Sequence, residues 1–167
     1  MKTKELTKTG IMAAIIYLSI YFLKIVPTPN GYTHLGDCMI FLSVLILGKK
    51  NSAFASGIGA ALSDALSGYM QWVLPSFFIK GIMAYIMGVI VENIFPNVKY
   101  NWLIGATIGG IVQVILYTLT KIFLYDFAYG ISRIPILTMQ TVCGIVFASI
   151  LITFFDKSGL IRRLREV

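Results

Sequence analysis

The sequence is poor in charged side chains and in the residues that usually build reactive centres. Only 13% of its 167 residues are charged, whereas soluble domains carry about 25%. It contains a single histidine and two cysteines, and Cys38 and Cys143 each lie alone inside an apolar run. No paired Cys or Cys/His spacing typical of a metal site occurs. We therefore expect no metal centre and interpret both cysteines as small hydrophobic residues.

Motifs that would define an enzyme are also missing. No phosphate-binding loop of the GxxxxGK[ST] type occurs, so we do not expect this chain to hydrolyse ATP by itself. The run GIGAAL at Gly57 lies inside an apolar helical pattern without a preceding strand, which argues against a dinucleotide loop. No Ser or Cys nucleophile with a base and an orienting group can be assembled. We therefore predict no catalytic residues and no cofactor.

Apolar residues dominate the chain instead. They make up 57% of it, the mean hydropathy is +0.84, and the excess recurs along the whole length. This pattern predicts an all-α, polytopic membrane protein with one integral membrane domain over residues 1–167. A membrane helix needs about 20 mostly apolar residues. Six segments meet or approach this length: 7–26, 36–48, 51–71, 74–95, 102–125 and 135–156.

The distribution of positive charge predicts the orientation of these six helices. One side of the membrane would carry most of the basic residues, and the other side only Lys24 and Arg133. Basic loops face the cytoplasm, so both termini are expected inside and the loop of residues 27–37 outside. The net charge of +7 then reflects a basic cytoplasmic rim, and no nucleic-acid partner is expected. The basic N-terminus is interpreted as the start of a retained first helix.

Small residues predict which helices pack closely. The third predicted helix carries them at every fourth position on two adjacent faces, which favours a central place between neighbours. These residues are Ala53, Gly57, Ala61 and Ala65, with Ala55, Gly59, Ser63 and Ser67 beside them. The first helix carries a similar pair, Gly10 and Ala14. It is the better candidate for contact with another protein, because a terminal helix is more often peripheral.

Polar side chains at membrane depth fall almost entirely in the outer half of the predicted bundle. They are Asp37, Asp64, Lys80, Gln113, Tyr117, Lys121 and Gln140. Such residues are costly in a membrane and indicate a functional site. A channel would need polar groups through its full depth, whereas a cavity open to the outside needs them only there. Aromatic residues crowd the same level, which suits a flat heterocyclic ligand.

Structural explanations remain open for each of these residues. Asp64 and Lys80 could neutralise one another as a buried ion pair. Asp37 could cap the second helix by accepting backbone hydrogen bonds. His34 could be an ordinary loop residue. Gln113 and Gln140 could form hydrogen bonds between helices, and Lys121 could extend its ammonium to the membrane surface.

Three stretches resemble a known family. NGYTHLGD, GIGAALSDALSGYM and PSFFIKGIMA are similar to the pattern of substrate-binding S components of energy-coupling factor (ECF) vitamin transporters, in the subgroup for riboflavin-like, hydroxymethylpyrimidine and vitamin B6 substrates. The resemblance implies a six-helix prokaryotic cell-membrane protein that binds a vitamin from outside under a lid, the loop after the first helix. It also implies partners: a membrane T component and two ATPase subunits, which would hydrolyse the ATP.

The family's contact with the T component is an AxxxA motif in the first helix. This chain departs from it, because Tyr17 follows Ala13 at that spacing and Leu18 follows Ala14. The nearest equivalent is Gly10 with Ala14, so we expect the contact around Gly10, Ala13 and Ala14.

These observations predict a ligand site beneath the loop, with Asp37 and Asp64 as structural or additional ligand residues. Its expected members are Asn30, Tyr32, His34, Lys80, Gln113, Tyr117, Lys121 and Gln140. A pyridoxine-type vitamin B6 is the favoured ligand, hydroxymethylpyrimidine is second and riboflavin third. Scarcity of arginine argues against a phosphorylated ligand. A self-sufficient transporter or channel, or a small membrane enzyme, is the alternative.

Overall fold

The structure, a computed structural model, describes residues 3–28, 30–159, 161 and 163. Within these residues the chain forms α-helices and one antiparallel β-hairpin. The helices are α1 (Thr3–Phe22), α2 (Asp37–Leu66), α3 (Val73–Val89), α4 (Asn101–Leu124), α5 (Phe127–Ser132) and α6 (Ile134–Lys157). The strands are β1 (Lys24–Thr28) and β2 (Gly31–His34), a 3₁₀ turn covers Met70–Trp72, and a π-helical turn covers Ile90–Ile94. The all-α class is confirmed.

The helix α2 reverses direction at Gly48. This residue has φ 75° and ψ 172°, outside the helical region and accessible mainly to glycine. A straight helix would separate Asp37 from Asp64 by about 40 Å. Instead, one strand reaches both residues: His34 Nδ1 lies 4.0 Å from Asp37 Oδ1, and the Tyr32 hydroxyl lies 2.7 Å from Asp64 Oδ1. The two halves of α2 are therefore antiparallel and correspond to the second and third predicted helices.

Several predicted helix boundaries are wrong by a few residues. The first helix ends at Phe22 rather than at residue 26, because residues 24–28 pair with β2 as a strand. The break predicted at Lys49 to Asn51 occurs at Gly48, and those polar residues are helical. The third predicted helix ends at Leu66, before Gly68 with φ 80°. The short helix α5 was not predicted, and its N-terminus is capped by an Asp126 side chain that accepts from the Tyr129 N–H.

The second half of α2 packs between α1 and α3, as its small residues predicted. A Cβ at Gly59 would lie 2.8 Å from the Ala13 carbonyl oxygen, and one at Gly57 would lie 2.8 Å from the Phe77 carbonyl oxygen. Only glycine permits backbones to approach so closely on both faces. Ala13 is consequently buried against α2, whereas Gly10 and Ala14 are exposed. Of the predicted partner-contact residues, Ala13 therefore faces the interior of the bundle and is not accessible to a partner in this structure.

Within the described residues, four helical segments are long and apolar enough to cross a membrane. They are Asp37–Leu66, which contains the reversal at Gly48, Met70–Ile94, Asn101–Leu124 and Phe127–Lys157. Large apolar side chains are exposed along the outside of the bundle, as at Phe123, which is 89% exposed. Such a surface is costly in water and suits lipid. Six crossings and cytoplasmic termini stay predictions.

Candidate functional site

One end of the helix bundle collects the polar residues that the sequence placed at one depth. Here β1 and β2 (together, the hairpin) lie against the start of α2, the end of its second half, and the ends of α3, α4 and α6 that face the hairpin. They enclose a cavity of about 40 Å³, called the main cavity below. Its lining residues are Ile20, Gly31, Tyr32, His34, Ala60, Asp64, Trp72, Ser76, Lys80, Tyr117, Lys121, Leu137 and Gln140.

The floor of the main cavity is a buried ion pair that is hydrogen-bonded to two glutamine side chains. Lys80 is 1% exposed, Asp37 is not exposed, and the Lys80 ammonium bonds Asp37 Oδ1. The Lys80 Nζ also donates to Gln113 Oε1 at 2.6 Å. Asp37 Oδ2 accepts from the side-chain amides of Gln113 at 3.0 Å and Gln140 at 2.9 Å. A buried charge pair is tolerated only with such satisfaction, so Lys80 and Gln140 are held in place beneath the cavity.

Two structural explanations offered by the sequence are corrected here. Lys80 pairs with Asp37 rather than with Asp64, so the predicted Asp64–Lys80 ion pair is wrong. Asp37 occupies the first turn of α2 after Gly36, and its carboxylate bonds side chains from α3, α4 and α6 instead of capping its own helix. The sequence placed Asp37 and Lys80 in the same half of the bundle but did not predict the rotation that aims Asp37 inward.

Asp64 lines the main cavity beneath β2 as a carboxylate that pairs with a hydroxyl. Tyr32 donates to its Oδ1 at 2.7 Å and lies 3.0 Å from the Ser63 hydroxyl. Burial, with the Asp64 charge beside it, raises the pKa of the Tyr32 phenol, which therefore stays protonated and remains a donor. This bond ties the hairpin to α2 across the edge of the cavity.

His34 lines the same cavity and has a buried polar atom without a hydrogen-bond partner among the described residues. The residue is 6% exposed, and its Nδ1 has no hydrogen-bond partner among the described residues. Burial lowers its pKa to about 3; the charges of Lys80 and Lys24 act in the same direction and Asp37 opposes them. His34 is therefore neutral near pH 7. An unsatisfied buried group costs about 1–3 kcal/mol, which a bound ligand could recover.

Aromatic rings line the other side of the main cavity. Trp72 is 4% exposed, and its ring centroid lies 5.9 Å from that of Tyr117 and 6.4 Å from that of Tyr125. The Tyr117 hydroxyl donates to the Ser76 hydroxyl at 2.9 Å, which fixes the tyrosine ring. The Lys121 ammonium lies 4.1 Å from the Trp72 ring centroid. These planar surfaces suit a flat ring beside a few polar groups.

Of the eight predicted ligand residues, six line the main cavity. They are Tyr32, His34, Lys80, Tyr117, Lys121 and Gln140. Gln113 lies one layer lower, between Asp37 and Lys80. Asn30 contributes only its backbone carbonyl, which accepts from Trp72 Nε1 at 2.9 Å and from the Tyr125 hydroxyl at 3.4 Å.

Sequence analysis missed two polar or aromatic contributions to the cavity. Trp72 was not singled out among the aromatic residues at this level, although its ring lines the cavity and its Nε1 donates to the hairpin. Sequence analysis did not consider Ser76, one helical turn before Lys80 on α3. That spacing puts both side chains on one face, so it was a usable signal.

The fold and the cavity together define a multi-pass membrane protein with a small polar cavity at one end. The family model of the ECF-type riboflavin transporter S component matches residues 1–157. The chain belongs to this family, which confirms the resemblance seen in its motifs.

Two curated relatives are similar to this chain. A protein of Pyrococcus woesei described as an uncharacterized protein in a gap 3' region is 33% identical over 124 residues, covering 72% of this chain and 80% of the relative. The thiamine precursor transporter HmpT of Lactococcus lactis subsp. cremoris is 23% identical over 165 residues, covering 98% of this chain and 94% of the relative. The chain is thus similar to transport proteins and not to enzymes.

Proposed function

We propose that this protein binds a small, single-ring nitrogen heterocycle with a hydroxymethyl substituent, and delivers it into the cell. Hydroxymethylpyrimidine is the first candidate and pyridoxine the second. The observation that carries the proposal is that Nδ1 of the buried His34 has no hydrogen-bond partner among the described residues. His34 lines a cavity whose other polar groups include donors in fixed positions. A ligand hydroxyl or ring nitrogen would complete this hydrogen bond.

The fixed groups of the cavity match the edges of such a ring. Lys80 and Gln140 are donors whose positions are set by Asp37, and Asp64 is an acceptor held by Tyr32. An aminopyrimidine offers an exocyclic amine to a carboxylate and ring nitrogen atoms to donors. Sites built from fixed groups lose less entropy on binding, which favours high affinity.

The size of the cavity limits the ligand to something small. Its volume of about 40 Å³ holds no more than a few water-sized groups. A single ring therefore requires the hairpin or the aromatic side chains to move outward, and the tricyclic ring of riboflavin requires much more. The Tyr32–Asp64, Trp72–Asn30 and Lys24–Ser67 hydrogen bonds are among the contacts that hold the hairpin against the helices, so opening requires that these hydrogen bonds break.

The relative named for a thiamine precursor favours the pyrimidine over the pyridine. It aligns with 98% of this chain, and thiamine is made from a pyrimidine part and a thiazole part. The B6-type ligand expected from the sequence therefore takes second place. Pyridoxine has a similar ring size and hydroxymethyl groups, so it remains the natural competitor in any binding assay.

Transport would require partners that supply energy. The family to which the chain belongs implies a membrane T component and two ATPase subunits, and we propose that this chain works with them. In the predicted orientation the hairpin faces outside, and most basic residues of the opposite end, such as Lys49, Lys50 and Lys99, face the cytoplasm. The hairpin would then act as the outer lid of the site.

A ligand screen with the purified protein tests this proposal. Thermal melting in detergent with hydroxymethylpyrimidine, pyridoxine, riboflavin and thiamine should show the largest rise for hydroxymethylpyrimidine, because a ligand that binds only the folded state stabilises it. If none of the four raises the melting temperature at millimolar concentration, the proposal is wrong. Uptake into vesicles that contain this chain alone would instead support a self-sufficient transporter.

A further inference from the structure

A second, smaller cavity adjoins the main cavity and shares part of its lining. Its volume is about 20 Å³, and it is formed by the hairpin, the end of α4, α5 and the start of α6. It is lined by Gly31, Tyr32, Thr33, Lys121, Tyr129, Arg133, Ile136 and Leu137. We call it the outer cavity. Among these residues there are two cations and no carboxylate.

The two cations of the outer cavity face the same aromatic ring. The Arg133 guanidinium carbon lies 4.8 Å from the Tyr129 ring centroid, and the Lys121 ammonium lies 6.0 Å from it. Within the described part of the chain, neither charge forms an ion pair, since the ion pairs there involve Asp37 and Glu92. Asp64, the carboxylate that acts on Lys121, lines the main cavity and not the outer one, so two like charges meet in the outer cavity without a carboxylate in its lining and attract an anion.

The outer cavity is continuous in its lining with the main cavity. Gly31, Tyr32, Lys121 and Leu137 contribute to both. Lys121 is the link, because its ammonium also lies 4.1 Å from the Trp72 ring centroid in the main cavity. A ring bound against Trp72 would therefore lie beside the Lys121 ammonium, and the Arg133 guanidinium would lie in the adjoining outer cavity.

We propose that the outer cavity is an anion subsite for a phosphate monoester carried by the heterocycle in the main cavity. The proposal rests on the proposed function and deepens it. The ring would occupy the main cavity, and the phosphate on its hydroxymethyl oxygen would lie between Lys121 and Arg133. Guanidinium groups bind phosphate oxygen atoms with paired donors. We expected an unphosphorylated ligand because the predicted site was poor in arginine. The structure places Arg133 beside the hairpin, so that expectation is revised here.

Calorimetric titration of the purified full chain with hydroxymethylpyrimidine and with its phosphate ester tests the subsite. We expect the ester to bind at least as tightly as the free pyrimidine at low ionic strength. Arg133→Gln should weaken binding of the ester about tenfold or more, and leave binding of the free pyrimidine within about twofold. Arg133→Lys keeps one charge and should retain most of the ester affinity. Added salt should weaken the ester selectively.

A matched control is Lys99→Gln at the opposite end of the bundle. Lys99 also places its ammonium over a tyrosine ring, 5.1 Å from the Tyr100 centroid, and its loss should change neither ligand. If the free pyrimidine binds and the ester does not, or if Arg133→Gln weakens both ligands equally, the subsite is refuted while the proposed function stands. If neither compound binds, both proposals fail.

Discussion

Replacing Lys80 by methionine removes one half of the buried ion pair beneath the main cavity. Lys80 is 1% exposed and Asp37 is fully buried, so the Lys80→Met variant leaves a carboxylate in the interior with only two amide donors. Loss of one partner of a buried pair typically costs about 3–5 kcal/mol. Asp37→Asn should be comparably harmful, because it leaves the ammonium without its counter-charge.

The double variant Asp37→Asn with Lys80→Met separates the ion pair from simple packing. It removes both charges, and replacement of a whole buried pair is often close to neutral. We therefore expect the double variant to be more stable than either single variant. Melting temperature and recovery of monodisperse protein in detergent measure this, and ligand titration of the surviving double variant measures the contribution to binding.

The result that would refute this reasoning is additivity. Residues that interact directly show couplings of about 0.5–3 kcal/mol, whereas independent residues add within about 0.3–0.5 kcal/mol. If the costs of the two single substitutions add in the double variant, Asp37 and Lys80 do not form an energetically coupled pair. If Lys80→Met folds normally and only loses ligand, the lysine acts mainly on the ligand.

Three further predictions concern other parts of the structure. Gly48→Ala should lower the melting temperature, because a side chain at φ 75° is strained and its Cβ would lie 2.8 Å from Glu92 Oε1; unchanged melting would contradict the reversal at this residue. The free energy of unfolding should fall by up to about 1.4 kcal/mol per pH unit as the pH is lowered from 6.5 to 5. In this range His34 becomes protonated in the unfolded chain, whereas its pKa in the folded chain is about 3. Melting curves of the His34→Gln variant should show a smaller dependence on pH. Trp72→Phe removes the donor to the Asn30 carbonyl and should loosen the hairpin by about 1 kcal/mol, seen as faster amide exchange in β1 and β2.

The sequence was sufficient for those features that depend on position along a helix. Apolar runs predicted the helical segments within a few residues, and counting along them placed Asp64, Lys80 and Gln140 at one depth. The structure brings these three side chains to one cavity. Small-residue spacing likewise predicted the central packing of Gly57 and Gly59.

Features that depend on rotation about a helix axis, or on one backbone angle, were not accessible in this way. Asp37 and Asp64 have the same depth, so only the structure shows that Asp37 pairs with Lys80. The reversal was assigned to the polar residues after Gly48, whereas the structure locates it at the backbone angles of Gly48 itself. Asn30 was chosen for its side chain, whereas its backbone carbonyl makes the contact.

The central claim is that the main cavity binds a single-ring nitrogen heterocycle, and a calorimetric titration with hydroxymethylpyrimidine tests it most directly. The account predicts one ligand per chain with a dissociation constant below about 1 µM, which corresponds to about −8 kcal/mol. It also predicts that pyridoxine binds more weakly and that riboflavin binds least. Absence of binding up to about 1 mM, or tighter binding of riboflavin than of either single-ring compound, would contradict the account.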